Sequence, residues 1–276
     1  MTQKATDRES MVPPEVRERM KQVKHKIVVL SGKGGVGKST VSANLAMAFA
    51  KMGASVGVLD VDIYGPTIPK VLGLEGQHPE VSDNSIQPVE GPLGSKIMSM
   101  GFLLRNADDA VAWRGPLVAK AITQFLSDVQ WGALDVLVVD LPPGTGDEIL
   151  SILQSIPAVD GTLIISTPQE VAVLGARRAI QLTQKMGVNV LGVVENMGEY
   201  VCPKCGERYR MMGEGAVIRA ATDYGVMYLG SLPMDPAIVK FSDEGRPFVI
   251  AAPESESTKA FMALAKKISN LIGLGK

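Results

Sequence analysis

The chain has 276 residues, 46% of them hydrophobic and 21% charged, an ordinary globular composition that excludes a chain disordered throughout. Lysine and arginine number 28 against 29 aspartates and glutamates, and the net charge of −1 leaves no electrostatic footprint for generic nucleic-acid binding. No apolar run approaches the roughly 20 residues of a membrane helix, and no apolar signal segment opens the chain, so a cytoplasmic protein with neither membrane nor nucleic acid among its partners is expected.

Residues 1–24 are charge-rich with mixed signs and carry Pro13-Pro14, which predicts a flexible N-terminal tail with a short helix starting near Pro14. Beyond it, strand and helix patterns alternate. Apolar runs without clear alternation predict strands buried on both faces at Ile27–Leu30, Leu134–Val139, Thr162–Ile165 and Val188–Val194, with weaker candidates at Ser55–Leu59 and Lys96–Met100. Helical periodicity falls at about Lys38–Met52, Leu117–Val129, Asp147–Ile156, Val171–Met186, Gly213–Tyr224 and Thr258–Ile272. The alternation predicts an α/β fold, a mostly parallel sheet with helices on both faces. No repeat or linker divides residues 25–276, so one domain is expected there.

Gly32-Lys-Gly-Gly-Val-Gly-Lys-Ser39-Thr40 matches G-x-x-x-x-G-K-[ST], with a predicted strand before it and a helix after it. This pattern is the phosphate loop of a P-loop NTPase. Its glycines let the backbone curl so that N–H groups converge on phosphate, and the helix N-terminus favours the anion. The sequence therefore assigns ATP binding to Gly32, Lys33, Gly34, Gly35, Val36, Gly37, Lys38, Ser39 and Thr40. Lys38 supplies charge at the β- and γ-phosphates, and the Ser39 hydroxyl is a ligand for Mg²⁺.

The second lysine makes this a deviant Walker A loop, which resembles that of the MinD/ParA/nitrogenase iron-protein class. In that class the first lysine reaches across a homodimer to the partner's nucleotide. Lys33 would then stabilise charge developing in phosphoryl transfer only when two copies face each other. Asp60-Val-Asp62 follows the candidate second strand; Asp62 is expected to orient the attacking water and Asp60 to lie near the magnesium. Asp140 ends the run Val136–Val139 and fits the position that holds Mg²⁺ directly or through water, with Pro142–Asp147 after it as a loop that senses the γ-phosphate. Asn196 is placed to read a base edge. A helix cap or a solvated strand end competes for each aspartate, and a turn role for Asn196.

The two cysteines form Cys202-Pro-Lys-Cys205, which rules out a disulfide framework. Two thiolates at this spacing suit one metal or one edge of an iron–sulfur cluster, but a structural zinc site or a cubane normally takes four ligands. Neither His25 nor His78 is near in sequence, so a second copy could supply the rest. A zinc clasp, a redox dithiol and an inert pair remain open.

The whole set resembles the Mrp/ApbC family of nucleotide-binding iron–sulfur carrier proteins over roughly residues 24–273. The resemblance rests on the phosphate loop, Asp60-Val-Asp-Ile-Tyr-Gly-Pro-Thr67, Trp113-Arg-Gly-Pro116, Asp140-Leu-Pro-Pro-Gly-Thr-Gly-Asp147, Glu195-Asn-Met197 and the cysteine loop at 200–210. It implies an ATPase that hydrolyses slowly, and a homodimer that binds a [4Fe–4S] cluster between two C-x-x-C pairs and passes it to apo-proteins. Some members carry a domain before the phosphate loop and others a second four-cysteine cluster, and neither carries over to this chain. Three other functions compete: a MinD/ParA-like positioning ATPase, an ATP-gated electron donor, and a nucleotide switch clasped by zinc. The first would use the stripe Phe261, Leu264, Ala265, Ile268 and Ile272 as a membrane anchor, although such a stripe is ordinarily the face of a helix packed on a sheet.

Overall fold

The computed structural model describes residues 12–82, 85–104, 115–202 and 204–275; residues 1–11, Trp113, Arg114 and Pro203 lie outside these ranges. In chain order the strands are β1 (Val23–Leu30), β2 (Val56–Asp60), β3 (Glu80–Ser82), β4 (Ser85–Gln87), β5 (Val89–Glu90), β6 (Lys96–Ser99), β7 (Leu134–Asp140), β8 (Gly161–Ser166), β9 (Val190–Glu195), β10 (Tyr200–Val201), β11 (Arg208–Tyr209) and β12 (Tyr228–Ser231). The α-helices are α1 (Pro14–Met20), α2 (Lys38–Lys51), α3 (Ile68–Leu72), α4 (Gly115–Ser127), α5 (Asp147–Ser155), α6 (Glu170–Lys185), α7 (Ala216–Asp223), α8 (Pro236–Asp243), α9 (Phe248–Ala251) and α10 (Glu256–Ile272).

Eight strands form one sheet in the order β12-β9-β8-β1-β7-β2-β6-β5. Every pairing in it is parallel except β5 with β6. The expected α/β architecture is present, and the apolar runs explain it. Successive side chains of a strand point to opposite faces. In β1, Val28 and Leu30 enter one core with α1, α4, α5, α6 and α7, while Ile27 and Val29 enter the other with α2, α3, α9 and α10. A strand that feeds two cores has no polar face, hence its unbroken hydrophobic run.

The N-terminal segment carries the expected short helix from Pro14 but is packed rather than flexible over the described residues. Residues 12–24 are not a flexible tail: Val12, Val16, Met20 and Val23 are buried in the first core, and β1 begins at Val23. The four-residue spacing of Val12, Val16 and Met20 lays an apolar stripe against α4, and Arg19 fixes the contact by donating to the Ser127 carbonyl at 2.9 Å and to Gln130 Oε1 at 2.8 Å. The buried Lys26 Nζ closes the joint, donating to the Val23 carbonyl at 2.7 Å.

At the other end of the chain, Phe261, Leu264, Ala265 and Ile268 of α10 are buried in the second core. That stripe is packed inside the protein, which removes it as a membrane anchor. Among the described residues, no helix is long and apolar enough to cross a membrane.

Candidate nucleotide and cysteine sites

The sheet register builds the nucleotide site. Parallel pairing aligns Asp140 with Val29 on one side and with Asp60 on the other, so both carboxylates reach the C-terminal edge beside the loop that leaves β1. That loop turns into α2 through Gly35 and Gly37, each at φ 79°, a left-handed conformation that favours glycine. Lys38, the first residue of α2, is buried and pairs through Nζ with Asp140 Oδ2 at 2.6 Å, while Asp62 Oδ2 lies 3.9 Å away. The Ser39 hydroxyl donates to Asp140 Oδ2 at 2.5 Å and the Ser42 hydroxyl to Oδ1 at 2.5 Å. The structure thus brings together Lys38, Ser39, Asp62 and Asp140, and adds Ser42.

Asp60 lies beside Asp140, as its place at the strand end implies, and is anchored on the protein side of the site. Its carboxylate is fully buried and turned into the protein, with Oδ2 accepting from Ser99 Oγ at 2.9 Å and from the Ile68 N–H at 3.3 Å, and Oδ1 from the Asp62 N–H at 3.1 Å. These bonds tie Asp60 into the turn that presents Asp62. Burial, then the neighbouring Asp140 carboxylate, push Asp60 up to about 8. Burial also raises Asp62, and burial followed by the charge of Asp62 raises Glu148, the second residue of α5. One lysine thus faces several carboxylates, an excess of negative charge that suits a divalent cation. Hard oxygen donors from Ser39 and Asp140 fit Mg²⁺, with the rest of its shell left to phosphate and water.

The Pro142–Asp147 loop is tied to the phosphate loop, since the Gly144 N–H donates to the Ser31 carbonyl at 2.8 Å. Asn196 is buried and donates through Nδ2 to the Val36 carbonyl at 2.8 Å, so it braces the phosphate loop from below. Lys33 is exposed. It opens onto a concavity of about 480 Å³ whose walls include Pro168, Glu170, Met212 and Glu214.

Gly175, in the middle of α6, escaped the sequence reading. A methyl group there would lie 2.7 Å from the Gly32 carbonyl oxygen, so α6 and the phosphate loop touch backbone to backbone. The available signal was a glycine inside an otherwise regular helical pattern. In a free helix Gly→Ala gains about 1 kcal/mol, but here Gly175→Ala must push the loop away. It is expected to destabilise the protein by roughly 1–3 kcal/mol and to weaken nucleotide binding, read by thermal melts and nucleotide titration.

The cysteines sit at the tip of a hairpin formed by β10 and β11, paired Tyr200 to Tyr209 and Val201 to Arg208. The Cys202 N–H donates to the Glu207 carbonyl at 2.9 Å and the Gly206 N–H to the Cys202 carbonyl at 2.8 Å, with Gly206 at φ 73° closing the knuckle. Cys202 is half-buried and Cys205 exposed. Backbone N–H groups of Cys205 and then Lys204 hold the Cys202 thiol below its ordinary range, and the Cys205 side chain adds to them. His25 is occupied by Asp160 Oδ1 at 2.9 Å, and His78 by the Phe102 carbonyl at 3.1 Å. Among the described residues, no group of three or more His, Cys, Asp or Glu could hold a metal. A zinc site or a cubane normally takes four ligands, and this knuckle supplies two.

The family model described as ParA, NUBPL iron-transfer P-loop NTPase, matches residues 22–269. The chain belongs to this family. An iron–sulfur cluster carrier protein of Saccharolobus solfataricus is 47% identical over 258 residues, spanning 94% of this chain and 87% of the relative. One from Aquifex aeolicus is 45% identical over 261 residues, 94% of this chain and 71% of its own length. Among solved structures, a nucleotide-binding protein of Archaeoglobus fulgidus in complex with ADP superposes with a TM-score of 0.77 at 41% identity, covering 90% of this chain and 96% of that one. The cell-division ATPase MinD of Pyrococcus furiosus superposes at 0.64 with 26% identity, covering 90% and 99%. The chain is a P-loop NTPase of the iron–sulfur carrier family, and its likeness to MinD is the more distant of the two.

Proposed function

We propose that this protein is an iron–sulfur cluster carrier that binds ATP with Mg²⁺, hydrolyses it slowly, and holds a [4Fe–4S] cluster between two copies of itself for delivery to apo-proteins. The observation that carries this reading is the half-complete ligand set: two thiols on an exposed knuckle, in a chain that also carries Lys38, Ser39 and Asp140 around a phosphate loop. Cys202 and Cys205 of each copy supply the four thiolates that a cubane takes. The cluster is the cargo, so an outward-facing knuckle suits a protein that must give it up.

At the nucleotide, Gly32 to Thr40 wrap the phosphates, Lys38 leaves part of its bond with Asp140 to meet them, and Ser39 and Asp140 hold Mg²⁺. Asn196 braces the loop beneath the nucleotide and reads the base edge with its remaining oxygen. Asp62, next to Lys38, orients the attacking water, and the exposed Lys33 reaches the partner's nucleotide when two copies meet. Asp62→Asn keeps the shape but replaces the charged carboxylate, which can take the water's proton, with a neutral amide that cannot. It is expected to preserve ATP affinity within about twofold and to cut turnover by roughly 10²–10⁴-fold, measured as phosphate release against nucleotide titration.

The test of the whole reading is iron, acid-labile sulfide and zinc per subunit, on protein purified without oxygen and reconstituted, with its mass in solution. About two irons and two sulfides per subunit in a dimer support the shared cubane. About half a zinc per subunit and no iron uptake would make the knuckle a structural clasp and defeat the carrier reading.

A further inference from the structure

The cysteine hairpin is too small to hold itself in place. Its strands have two residues each, and an isolated two-stranded hairpin is at best marginally stable in water. Among the described residues, its backbone is anchored on one side, where β10 bridges to Met234 and the Met234 N–H donates to the Glu199 carbonyl at 2.7 Å. The opposite strand leaves through Arg208 and Arg210, and each arginine is fastened by carboxylates. Arg208 Nη1 meets Glu199 Oε2 at 3.1 Å and its Nη2 meets Glu256, the first residue of α10, at 3.4 Å. Arg210 Nε meets Glu199 Oε1 at 3.1 Å, and its Nη1 pairs with Glu214 just before α7. Glu199 thus uses one oxygen for each arginine and bridges the incoming and outgoing strands.

We propose that Glu199, gripped by Arg208 and Arg210, is the positioning residue of the cysteine pair, and that this ion-pair latch sets how firmly the knuckle holds its metal cargo. A four-thiolate site shared by two copies needs all its sulfurs in place at once, so the orientation of each knuckle enters twice. A single exposed ion pair contributes little, but a network anchored on one central carboxylate fixes a segment that has little else to fix it. Arg208 and Arg210 are 55% and 46% exposed, so salt weakens the latch and a docking partner's charges can compete for it. A carrier has to hold and then let go, and a latch built from half-exposed charges does both. The inference rests on the carrier reading for the nature of the cargo, but not for the latch itself.

The experiment compares the unaltered chain with Glu199→Gln and Arg210→Gln, and neither substitution falls in the phosphate loop. Reconstituted protein is challenged with a ferrous chelator without oxygen, and amide hydrogen exchange is followed over residues 199–212 of metal-free protein. Wild type is expected to lose iron faster as salt rises from about 0.1 M to about 1 M, where the screening length falls from about 10 Å to about 3 Å. Each variant is expected to lose iron about fivefold faster at the lower salt, to show a much smaller salt response, and to exchange hairpin amides faster, with ATP affinity unchanged. Iron loss and hairpin exchange equal to wild type in both variants would overturn the latch. If wild type takes up no iron, the carrier reading fails while the exchange measurement still decides the latch.

Discussion

Replacing Lys38 by methionine is expected to abolish measurable nucleotide binding and, at the same time, to lower stability by about 3 kcal/mol. The two losses have different origins. The first is the missing cation at the β- and γ-phosphates: a hydrogen bond to a charged group is worth about 1.5–3 kcal/mol, and losing two of them, about 3–6 kcal/mol, should lower affinity by roughly a hundredfold or more. The second belongs to Asp140, which is fully buried and has Lys38 as its ion-pair partner at 2.6 Å. Removing one partner of a buried pair leaves an uncompensated charge. The Ser39 and Ser42 hydroxyls, each donating at 2.5 Å, keep that cost from being larger. The double variant Lys38→Met with Asp140→Asn separates the effects. A neutral amide no longer needs the cation, and the serine hydroxyls can turn to accept from it. Chemical denaturation should show most of the stability restored, while nucleotide titration should show none of the affinity returning. A double variant as unstable as the single one would mean that Lys38 supports the fold through its packing rather than its charge.

The same residues show what was legible in the sequence. Lys38, Ser39 and Asp140 could be read because each occupies a motif position next to an unbroken apolar run, and a strand buried on both faces announces its own end. β1, β7, β8 and β9 were therefore visible, as were the long helices between them. Several short elements were not. β12, α3, α8 and the β10–β11 hairpin run from two to eight residues and owe their conformation to what they pack on. The N-terminal segment misled for a related reason. Its charges dominate the composition, while only the four-residue spacing of Val12, Val16 and Met20 betrays a buried stripe.

Asp60 and Asp62 illustrate the limit for site residues. Their sequence spacing says that both lie near a strand end, but which carboxylate turns inward depends on Ser99 and the Ile68 backbone, contacts made by distant or irregular segments. Gly175 against Gly32 is a tertiary contact altogether, between residues 143 positions apart in the chain, and no local pattern encodes the pairing.

Loss of either cysteine is the second large effect, and symmetry makes it larger than a single substitution suggests. In a cluster shared by two copies, Cys202→Ala removes two of four ligands, because each copy contributes the same change. Iron is expected to fall from about two per subunit to near zero, and Cys205→Ala should match it. Stability of the metal-free protein should hardly move, by less than about 0.5 kcal/mol, because one thiol is half-buried and the other exposed. Nucleotide affinity should be untouched, since the phosphate loop is braced by Asn196 and Gly175 rather than by the hairpin. Mixing wild-type and Cys202→Ala subunits sharpens the test, because the mixed dimer keeps three thiolates. A cluster held by three ligands would be labile but present, so iron retention should follow the number of thiolates per dimer rather than per chain. If retention instead followed wild-type chains one for one, each copy would hold its own metal and the cysteines would not be shared. A Cys202→Ala homodimer that kept a full cluster would place the ligands elsewhere and end the assignment.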